Sequence, residues 1–332
     1  MTVNSTHHVV SRSGVRRFAL ATGACNEIHH DPDYARALGF RDIVAPPGYF
    51  TAIALSLGRE LPSSQLRHDG LAATDQLDGR VMAGGFVARW HAALCAGDEI
   101  TAREEHLPPR TVTGRSGQLT IHTVHRSYFV GEQLAIEERS DRIGIPLVRS
   151  AASQEFVGEQ LAIEERSDRI GIPLARSAAP QEAARSTDVR ELISARLMLN
   201  ELDLFMFSAS TWLTHRIHFD REYARSEGYD DLVIPGPMQG ACLAQLLVDF
   251  ARAHGGKLEF LELRHKSPAV CGVPLRMSAS LLKTEHGEHS VSADLSVRIV
   301  SQTGVLHSSG RASLTLSQSE AVSGLLREYS SV

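Results

Sequence analysis

Residues 28–46 read IHHDPDYARALGFRDIVAP, and residues 217–235 read IHFDREYARSEGYDDLVIP. The two stretches align without a gap at a spacing of 189 residues, and ten of their nineteen positions are identical. A match of this kind between two halves of a chain indicates duplication of one structural unit. Each copy begins with an isoleucine and a histidine, so the duplication also doubles a candidate functional side chain, His29 or His218.

A second repeat lies between the halves and has a different meaning. Residues 129–155 and 156–182 are adjacent copies of one 27-residue segment that differ at two positions. Near-identity over a whole segment indicates a recent tandem duplication, and two copies are fewer than the roughly three that a solenoid needs. Two identical strands cannot fill one place in a sheet. We expect the first copy to pair with 119–128 through a tight turn, and the second to be looped out or added to a sheet edge.

The composition is that of an ordinary soluble globular protein. The chain has 332 residues, of which 42% are hydrophobic and 22% are charged, and its formal net charge is −5. This length allows two units, and the negative charge argues against nucleic acid as a main partner. No apolar run reaches the roughly 18 residues that span a bilayer, and residues 1–18 lack the apolar core of a secretory signal. We therefore expect a cytoplasmic protein without a membrane partner.

Both halves continue with the same order of predicted elements. A proline- and glycine-containing turn follows each matched stretch, at 45–48 and at 235–237, and an apolar i, i+3, i+4, i+7 stripe then indicates a helix. Alternating apolar residues, as in 291–299, predict antiparallel strands after the helix. This order predicts an α+β fold. We place the boundaries at 1–145 for the first half, 146–190 for a linker holding the second copy of the 27-residue repeat, and 191–332 for the second half.

The second half carries the stronger of two family signatures. From residue 205 it reads FMFSASTWLTHRIHFDREYARSEGYDDLVIPGPMQG, which resembles the hydratase signature of MaoC-like dehydratases. The resemblance is closest to the branch of mesaconyl-C4-CoA hydratases, itaconyl-CoA hydratases and type 2 3-hydroxyacyl-thioester dehydratases. The first half is similar to the partner domain of these proteins, with Gly23, Asn26 and His29 in a degenerate form of the signature. The resemblance implies a double hot-dog fold, in which an antiparallel sheet wraps each long helix.

The reaction that this resemblance implies is reversible addition of water across the 2,3-double bond of a short, branched or dicarboxylic enoyl-CoA. Coenzyme A is then part of the substrate, and no metal or redox cofactor is implied. Such a hydro-lyase needs a base for water, an acid for the α-carbon and donors for the thioester oxygen. In the family, an Asp and a His five residues later, in GDxNPxH, act as acid and base. The Asp position is Ala24 in one half and Leu213 in the other, so both signatures lack the family acid.

The implied catalytic residues lie in the second half. His218 occupies the signature histidine and is the expected base, with a histidine merely satisfied inside the core as the alternative. His215 would share a helix face with His218 if that stretch is helical, and would orient the base, replace the missing acid or cap a turn. The amide of Gly236, at the start of the second helix, is the expected donor to the thioester oxygen.

Other residues of the two signatures are expected to bind substrate. Asn26 and His29 would shape the acyl pocket of the first half. Arg264 and Lys266 belong to a short basic run, which would bind the phosphates of coenzyme A unless it is merely solvated.

Two further patterns are interpreted as structural. Asp31 and Asp220 recur at one place in both halves, which favours capping of the helices that follow them. The four cysteines form no CxxC pair, and no third ligand stands at a suggestive spacing from His215 and His218. Neither a disulfide framework nor a metal site is therefore predicted.

Two other functions remain open, because a fold does not decide a chemistry. A thioesterase on the same fold would attack the thioester carbonyl and release free coenzyme A. A non-catalytic acyl-CoA binder would explain Ala24 and Leu213. We expect a small-molecule acyl-CoA thioester as partner, and a monomer or homo-oligomer of double hot-dog units.

Overall fold

The structure is a computed structural model that describes residues 3–56, 80–114, 117–145 and 190–329. In these residues, helices lie against one antiparallel sheet, as the predicted α+β class requires. The strands are β1 (Val3–Val9), β2 (Arg80–Trp90), β3 (Glu99–His106), β4 (Arg110–Gly114), β5 (Gly117–Val130), β6 (Gln133–Ile145), β7 (Ile193–Leu197), β8 (Lys257–His265), β9 (Leu275–His286), β10 (Ser290–Ser301) and β11 (Leu306–Ser317). The helices are α1 (Arg12–Thr22), α2 (Pro32–Ala37), α3 (Phe50–Ser56), α4 (Glu201–Thr211), α5 (Arg221–Ser226), α6 (Gly236–Ala253) and α7 (Glu320–Tyr329).

The sheet has the same strand order in each half. The order is β1-β3-β5-β6-β2 in the first half and β7-β9-β10-β11-β8 in the second, with β4 paired to β5, and β2 pairs with β8 to join the halves. At this seam Val87 lies opposite Glu262, 175 residues later. The same spacing relates Cys95 to Val270, and each of these two residues forms an isolated β-bridge within its own half. A pseudo-twofold axis therefore passes between Val87 and Glu262.

The central helix of the second half, α6, is buried because its apolar residues face both the sheet and the first half. Met238, Leu243 and Leu247 have no exposed area. A Cβ on Gly48, in the single 3-10 turn Pro47–Tyr49 that precedes α3, would lie 2.5 Å from the Cβ of Ala241. Glycine at position 48 thus allows the start of the first-half helix to approach α6 closely.

The paired helices α1 and α4 also join the halves. The ring centroids of Phe18 and Phe207 lie 5.8 Å apart, and both side chains are fully buried. In the second half, the alternating residues of 291–299 point into the core as predicted, because successive strand residues face opposite sides of a sheet.

The first copy of the 27-residue repeat supplies β6, as predicted. β6 pairs along β5, with Tyr128 opposite Ile136, after a two-residue turn at 131–132. The second copy, 156–182, lies outside the described residues, as does the rest of 146–189. No helix in the described ranges combines the length and apolarity needed to cross a membrane.

Candidate functional site

The duplicated stretch builds the same local structure in both halves. α1 and α4 each end in a left-handed residue, Gly23 with φ of 67° and Trp212 with φ of 57°. A single 3-10 turn follows, Glu27–His29 or Arg216–His218, with the signature histidine at its end. The side chains of Asp31 and Asp220 then cap α2 and α5, which confirms their predicted structural role.

Each signature histidine is buried and fixed by one backbone carbonyl. Nδ1 of His29 lies 2.6 Å from the carbonyl oxygen of Val44, and Nδ1 of His218 lies 2.7 Å from that of Val233. Because a carbonyl oxygen only accepts, Nδ1 donates its proton and Nε2 keeps its lone pair. Burial lowers the pKa of both rings to about 4. Both imidazoles are therefore neutral at neutral pH, and Nε2 is the ring nitrogen that can accept a hydrogen bond or a proton.

His215 lies beside His218 but does not hydrogen-bond to it. It is the N-cap residue of the turn Arg216–His218, and its ring meets the His218 ring edge to face with centroids 5.7 Å apart. Burial lowers the pKa of His215 as well. Leu213, at the family's acid position, packs half-buried against the core. The charge of Glu227 acts in the other direction on the pKa of His215.

The start of α6 lies beside three uncharged polar side chains that are linked by hydrogen bonds, His265, Ser308 and Gln239. Gly236 is the first residue of α6, where backbone N–H groups have no partner within the helix. A Cβ at this position would lie 2.6 Å from Nε2 of His265, so the ring packs directly on the glycine. Nδ1 of His265 donates to Ser308 Oγ at 2.9 Å, and Ser308 donates to Gln239 Oε1 at 3.0 Å. Burial lowers the pKa of His265 to about 4.

In the first half, the signature meets two polar residues of α6. Nε2 of Gln245 lies 3.1 Å from Nε2 of His29 and donates to Oδ1 of Asp249 at 3.0 Å. Nδ2 of Asn26 lies 3.4 Å from the same carboxylate oxygen. The structure thus brings the predicted residues Asn26 and His29 together with a carboxylate of the opposite half. Sequence reasoning missed Asp249, whose only local signal is its i, i+4 spacing from Gln245 on a predicted helix.

The charge on Asp249 is subject to opposing influences. Burial raises the pKa of its carboxyl, whereas the hydrogen bonds from Gln245 and Asn26 and the charge of Arg252 act in the other direction. The net shift is upward, so Asp249 holds a proton to higher pH than an exposed aspartate does.

The predicted phosphate-binding residues line an open cleft at the seam between the halves. Arg264 donates through Nε and Nη2 to Oε1 of Glu262, at 2.9 and 2.8 Å. His265, which packs on Gly236, also lines this cleft, so the cleft extends to the start of α6. Sequence reasoning missed that the first half also contributes cations here. The charged residues lining the cleft are Arg110, Arg139, Asp141, Glu262, Arg264 and Lys266.

Comparison with known proteins agrees with this architecture. Residues 49–271 match the family model of hydroxyacyl-thioester dehydratase type 2. Mesaconyl-C(4)-CoA hydratase of Chloroflexus aurantiacus is 33% identical over 235 residues, which cover 66% of this chain and 69% of that protein. A UPF0336 protein of Clavibacter michiganensis is 34% identical over 95 residues, 29% of this chain and 59% of that protein.

Solved structures confirm the expected double hot-dog fold. A MaoC-like dehydratase matches with a TM-score of 0.68 and 17% identity, covering 95% of this chain and 97% of that one. A conserved hypothetical protein of Mycobacterium tuberculosis with a double hot-dog fold matches with a TM-score of 0.61 and 12% identity, and the match covers 95% of this chain and 96% of that one. At these identities the structures show the fold alone. Because the family model and the mesaconyl-C(4)-CoA hydratase each match most of its length, this chain belongs to the hydroxyacyl-thioester dehydratase type 2 family of MaoC-like hot-dog proteins.

Proposed function

We propose that this chain is a hydro-lyase that adds water to, or removes it from, the 2,3-double bond of a short, branched or dicarboxylic enoyl-CoA. Membership of a family named for dehydration of hydroxyacyl thioesters supports the reaction class. The observation that carries the proposal is the position of His218. Its buried, neutral imidazole is held by a hydrogen bond to the carbonyl oxygen of Val233. Val233 precedes Gly236, the first residue of the 18-residue helix α6, by three residues.

The proposed reaction needs a base and an oxyanion donor, and we assign these roles to His218 and Gly236. In hydration, Nε2 of His218 accepts a proton from water while the water oxygen bonds to C3 of the substrate. The electrons of the double bond move toward C2 and the thioester oxygen, which the amide of Gly236 stabilises with help from the helix dipole. The imidazolium then returns its proton to C2, so one water has been added and the ring is neutral again. His215 packs against the ring of His218 and acts as a positioning residue.

The cleft at the seam supports binding of coenzyme A. Four cationic side chains and two carboxylates line it, which leaves an excess of positive charge. Phosphate groups attract such clusters of arginine and lysine. We therefore assign the phosphates of coenzyme A to Arg264 and Lys266 together with Arg110 and Arg139.

The test follows the conjugated enoyl-thioester absorbance of crotonyl-, mesaconyl- and itaconyl-CoA with the purified full chain, while free thiol is assayed in parallel. We expect the absorbance to fall without release of thiol, and the relative rates to rank the substrates. Release of thiol would identify a thioesterase instead. Binding of these esters without either signal would identify a non-catalytic binder, and both results contradict the proposal.

A further inference from the structure

We propose that the first half of the chain binds the acyl group of the substrate, and that Arg142 and His122 bind a carboxylate at the end of that group remote from the thioester. The inference rests on the proposed hydro-lyase function and names its substrate class, the coenzyme A monothioesters of dicarboxylic acids. The starting observation is a difference between the inner faces of the two half-sheets, which are the faces that carry the central helices α3 and α6.

The two half-sheets can be matched residue by residue. β5 and β6 change register between Tyr128 and Phe129, and β10 and β11 change register between Ile299 and Val300. Tyr128 therefore corresponds to Ile299, and every second residue along each strand shares its face. The ring of Tyr128 packs against that of Phe50 at the start of α3, with centroids 6.3 Å apart, so this face is the inner one.

The inner faces of the two halves differ in polarity. In the second half, six matched residues are apolar and at most 1% exposed: Ala279, Ala293, Leu295, Val297, Ala312 and Leu314. Their counterparts in the first half are, in the same order, Glu104, His122, Val124, Arg126, Ser140 and Arg142. The first half thus carries polar and charged side chains where its duplicate carries a hydrophobic core.

One part of this polar set is satisfied internally. Nε of Arg126 donates to Oε2 of Glu104 at 2.6 Å. Its Nη1 donates to Oε2 of Glu138 at 3.2 Å and to Oγ of Ser140 at 3.1 Å. The hydroxyl of Tyr128 also donates to Oε2 of Glu138, at 3.2 Å. Both carboxylates therefore have their donors within the first half.

Arg142 is not part of this network. It makes no hydrogen bond and no ion pair with the residues that the structure describes. Burial lowers the pKa of its guanidinium and the charge of Arg126 lowers it further, whereas Glu104 and Glu138 act in the other direction. A cation in this position lacks the hydrogen-bond acceptors that burial of a charge requires.

His122 lies directly opposite Arg142 in the pairing of β5 with β6. Nε2 of His122 is buried and has no hydrogen-bond partner among the described residues. Either nitrogen of a neutral imidazole can carry the proton, so Nε2 can donate to an anion. A carboxylate between the two side chains would satisfy both of them.

This end of the inner face is open in the first half and closed in the second. Val291 and Ala293 of β10 have no exposed area. Their counterparts Thr120 and His122 are partly exposed, and so is Arg142. The hydrophobic core that fills this end in the second half is therefore not reproduced in the first, which leaves the polar side chains accessible to a ligand.

The twofold relation directs His218 toward the end of α3. Nε2 of Gln245, in the middle of α6, lies 3.1 Å from Nε2 of His29. At the repeat spacing of 189 residues, Gln245 corresponds to Ser56, the last residue of α3. By the same relation, Nε2 of His218 faces the C-terminal end of α3.

Arg142 lies toward this same end of α3. Its counterpart Leu314 pairs with Leu258, the second residue of β8. β8 follows α6 after the turn 254–256, so Leu314 lies at the level of the C-terminal end of α6. The twofold relation thus places Arg142 toward the C-terminal end of α3. We therefore expect an acyl group that reacts beside His218 to extend toward Arg142.

A carboxylate is the anion that the substrate can place here. The phosphates of coenzyme A are assigned to the cleft at the seam, and the acyl group of a monocarboxylic ester ends in a methyl group. The planar guanidinium of arginine matches the two oxygens of a carboxylate. A methyl group would bury Arg142 without giving it an acceptor, which disfavours monocarboxylic esters.

The test measures binding of saturated coenzyme A esters to the full chain by isothermal titration calorimetry, because these esters have no double bond to hydrate. Succinyl-, glutaryl- and adipyl-CoA end in a carboxylate, and butyryl-, pentanoyl- and hexanoyl-CoA are their methyl-ended counterparts of equal length. We expect at least one dicarboxylic ester to bind about 10-fold more tightly than its counterpart, the size of one hydrogen bond between charged groups.

Variants at position 142 show whether this arginine is the cause. Arg142→Met should abolish the preference without weakening the methyl-ended esters, and Arg142→Lys, which keeps the charge, should retain part of it. We expect both to fold, because Leu314 occupies the matched position, and circular dichroism checks this. Arg139→Met is the control: Arg139 lies on the opposite face of β6 and lines the cleft at the seam, so both series of esters should weaken alike.

The wild-type comparison decides the inference even without the variants. Methyl-ended esters that bind at least as tightly as the dicarboxylic ester in every pair overturn it, and so does a preference that Arg142→Met retains. A protein that shows the Arg142-dependent preference but hydrates no enoyl-CoA would overturn the proposed function and support the carboxylate site. The two failures are therefore distinguishable.

Discussion

Nε2 of Gln245 lies 3.1 Å from Nε2 of His29, although the two residues belong to opposite halves of the chain. The contact exists because the pairing of β2 with β8 joins the two half-sheets, and α6 then packs against the first half. The histidine signature of one half is thus completed by the central helix of the other. Neither half alone contains the whole arrangement.

Replacing His218 with alanine should remove the base of the second-half centre. We expect turnover to fall by about 10²–10⁴-fold, the usual size of an acid–base contribution. Initial rates with enoyl-CoA measure the change. His254→Ala is a matched control, because Nδ1 of His254 also bonds a backbone carbonyl, that of Phe250, but at the other end of α6. An unchanged rate in His218→Ala would remove His218 from the mechanism.

Replacing Gly236 with alanine should disturb both packing and catalysis. The added Cβ would lie 2.6 Å from Nε2 of His265, so the ring must shift. We expect the free energy of unfolding to fall by about 1–3 kcal/mol, as in overpacked cores, together with a lower turnover. Gly324→Ala in α7 is the control, because its Cβ would have no atom within 4 Å and alanine favours a helix. Equal behaviour of the two variants in urea unfolding and rate assays contradicts the assignment.

Lys266→Ala should weaken binding of coenzyme A esters without changing the chemical step. We expect a higher KM at constant kcat, because the interaction with phosphate is the same in the ground state and the transition state. The difference from wild type should shrink at high salt, which screens the attraction. Lys257→Ala is the control, because Lys257 is the first residue of β8, whereas Arg264 and His265 lie at the other end of this strand. Lys257 forms an ion pair with Glu259 at 3.0 Å. A fall in kcat with KM unchanged would exclude this role for Lys266.

Trp212→Gly should stabilise the protein. Trp212 has φ of 57° and is 62% exposed, so it bears the strain of a left-handed conformation and buries little area in return. Glycine, the residue at the equivalent position 23, adopts this conformation without that strain, and we expect a gain of about 1 kcal/mol in the free energy of unfolding. Gly23→Ala should show the opposite change, because φ there is 67°. Urea unfolding measures both, and a loss of stability in Trp212→Gly would contradict the strain argument.

Stability should decrease as the pH falls from about 6.5 to about 4. Burial lowers the pKa of His29, His218 and His265 to about 4 in the folded protein, whereas unfolded histidines titrate near 6.5. The unfolded chain therefore binds more protons in this window, and each histidine contributes up to about 3 kcal/mol that is present above pH 6.5 and lost on acidification. Urea unfolding at several pH values measures the slope. His265→Gln should reduce it, and a variant with the wild-type slope would show that His265 titrates normally.

Much of the fold was predictable because its signals are local. The repeat at 28–46 and 217–235 predicted the duplicated unit, and the alternation at 291–299 predicted a strand with one buried face. Asp31 and Asp220 were assigned as helix caps from their positions alone, and the structure confirms both. Capping, periodicity and turn formation depend on residues within one or two turns of each other, so one sequence suffices to infer them.

The candidate site was predictable only in part. The sequence by itself determined where the two signature histidines stand and that the family acid is missing beside each of them, at Ala24 and Leu213. Only the tertiary structure linked Asp249 to His29 through Gln245, and placed two arginines of the first half in one cleft with Arg264 and Lys266 of the second. These contacts depend on the register of β2 against β8 and on the face that α6 turns to the other half. Residues far apart in the chain fix both, and no local pattern encodes them.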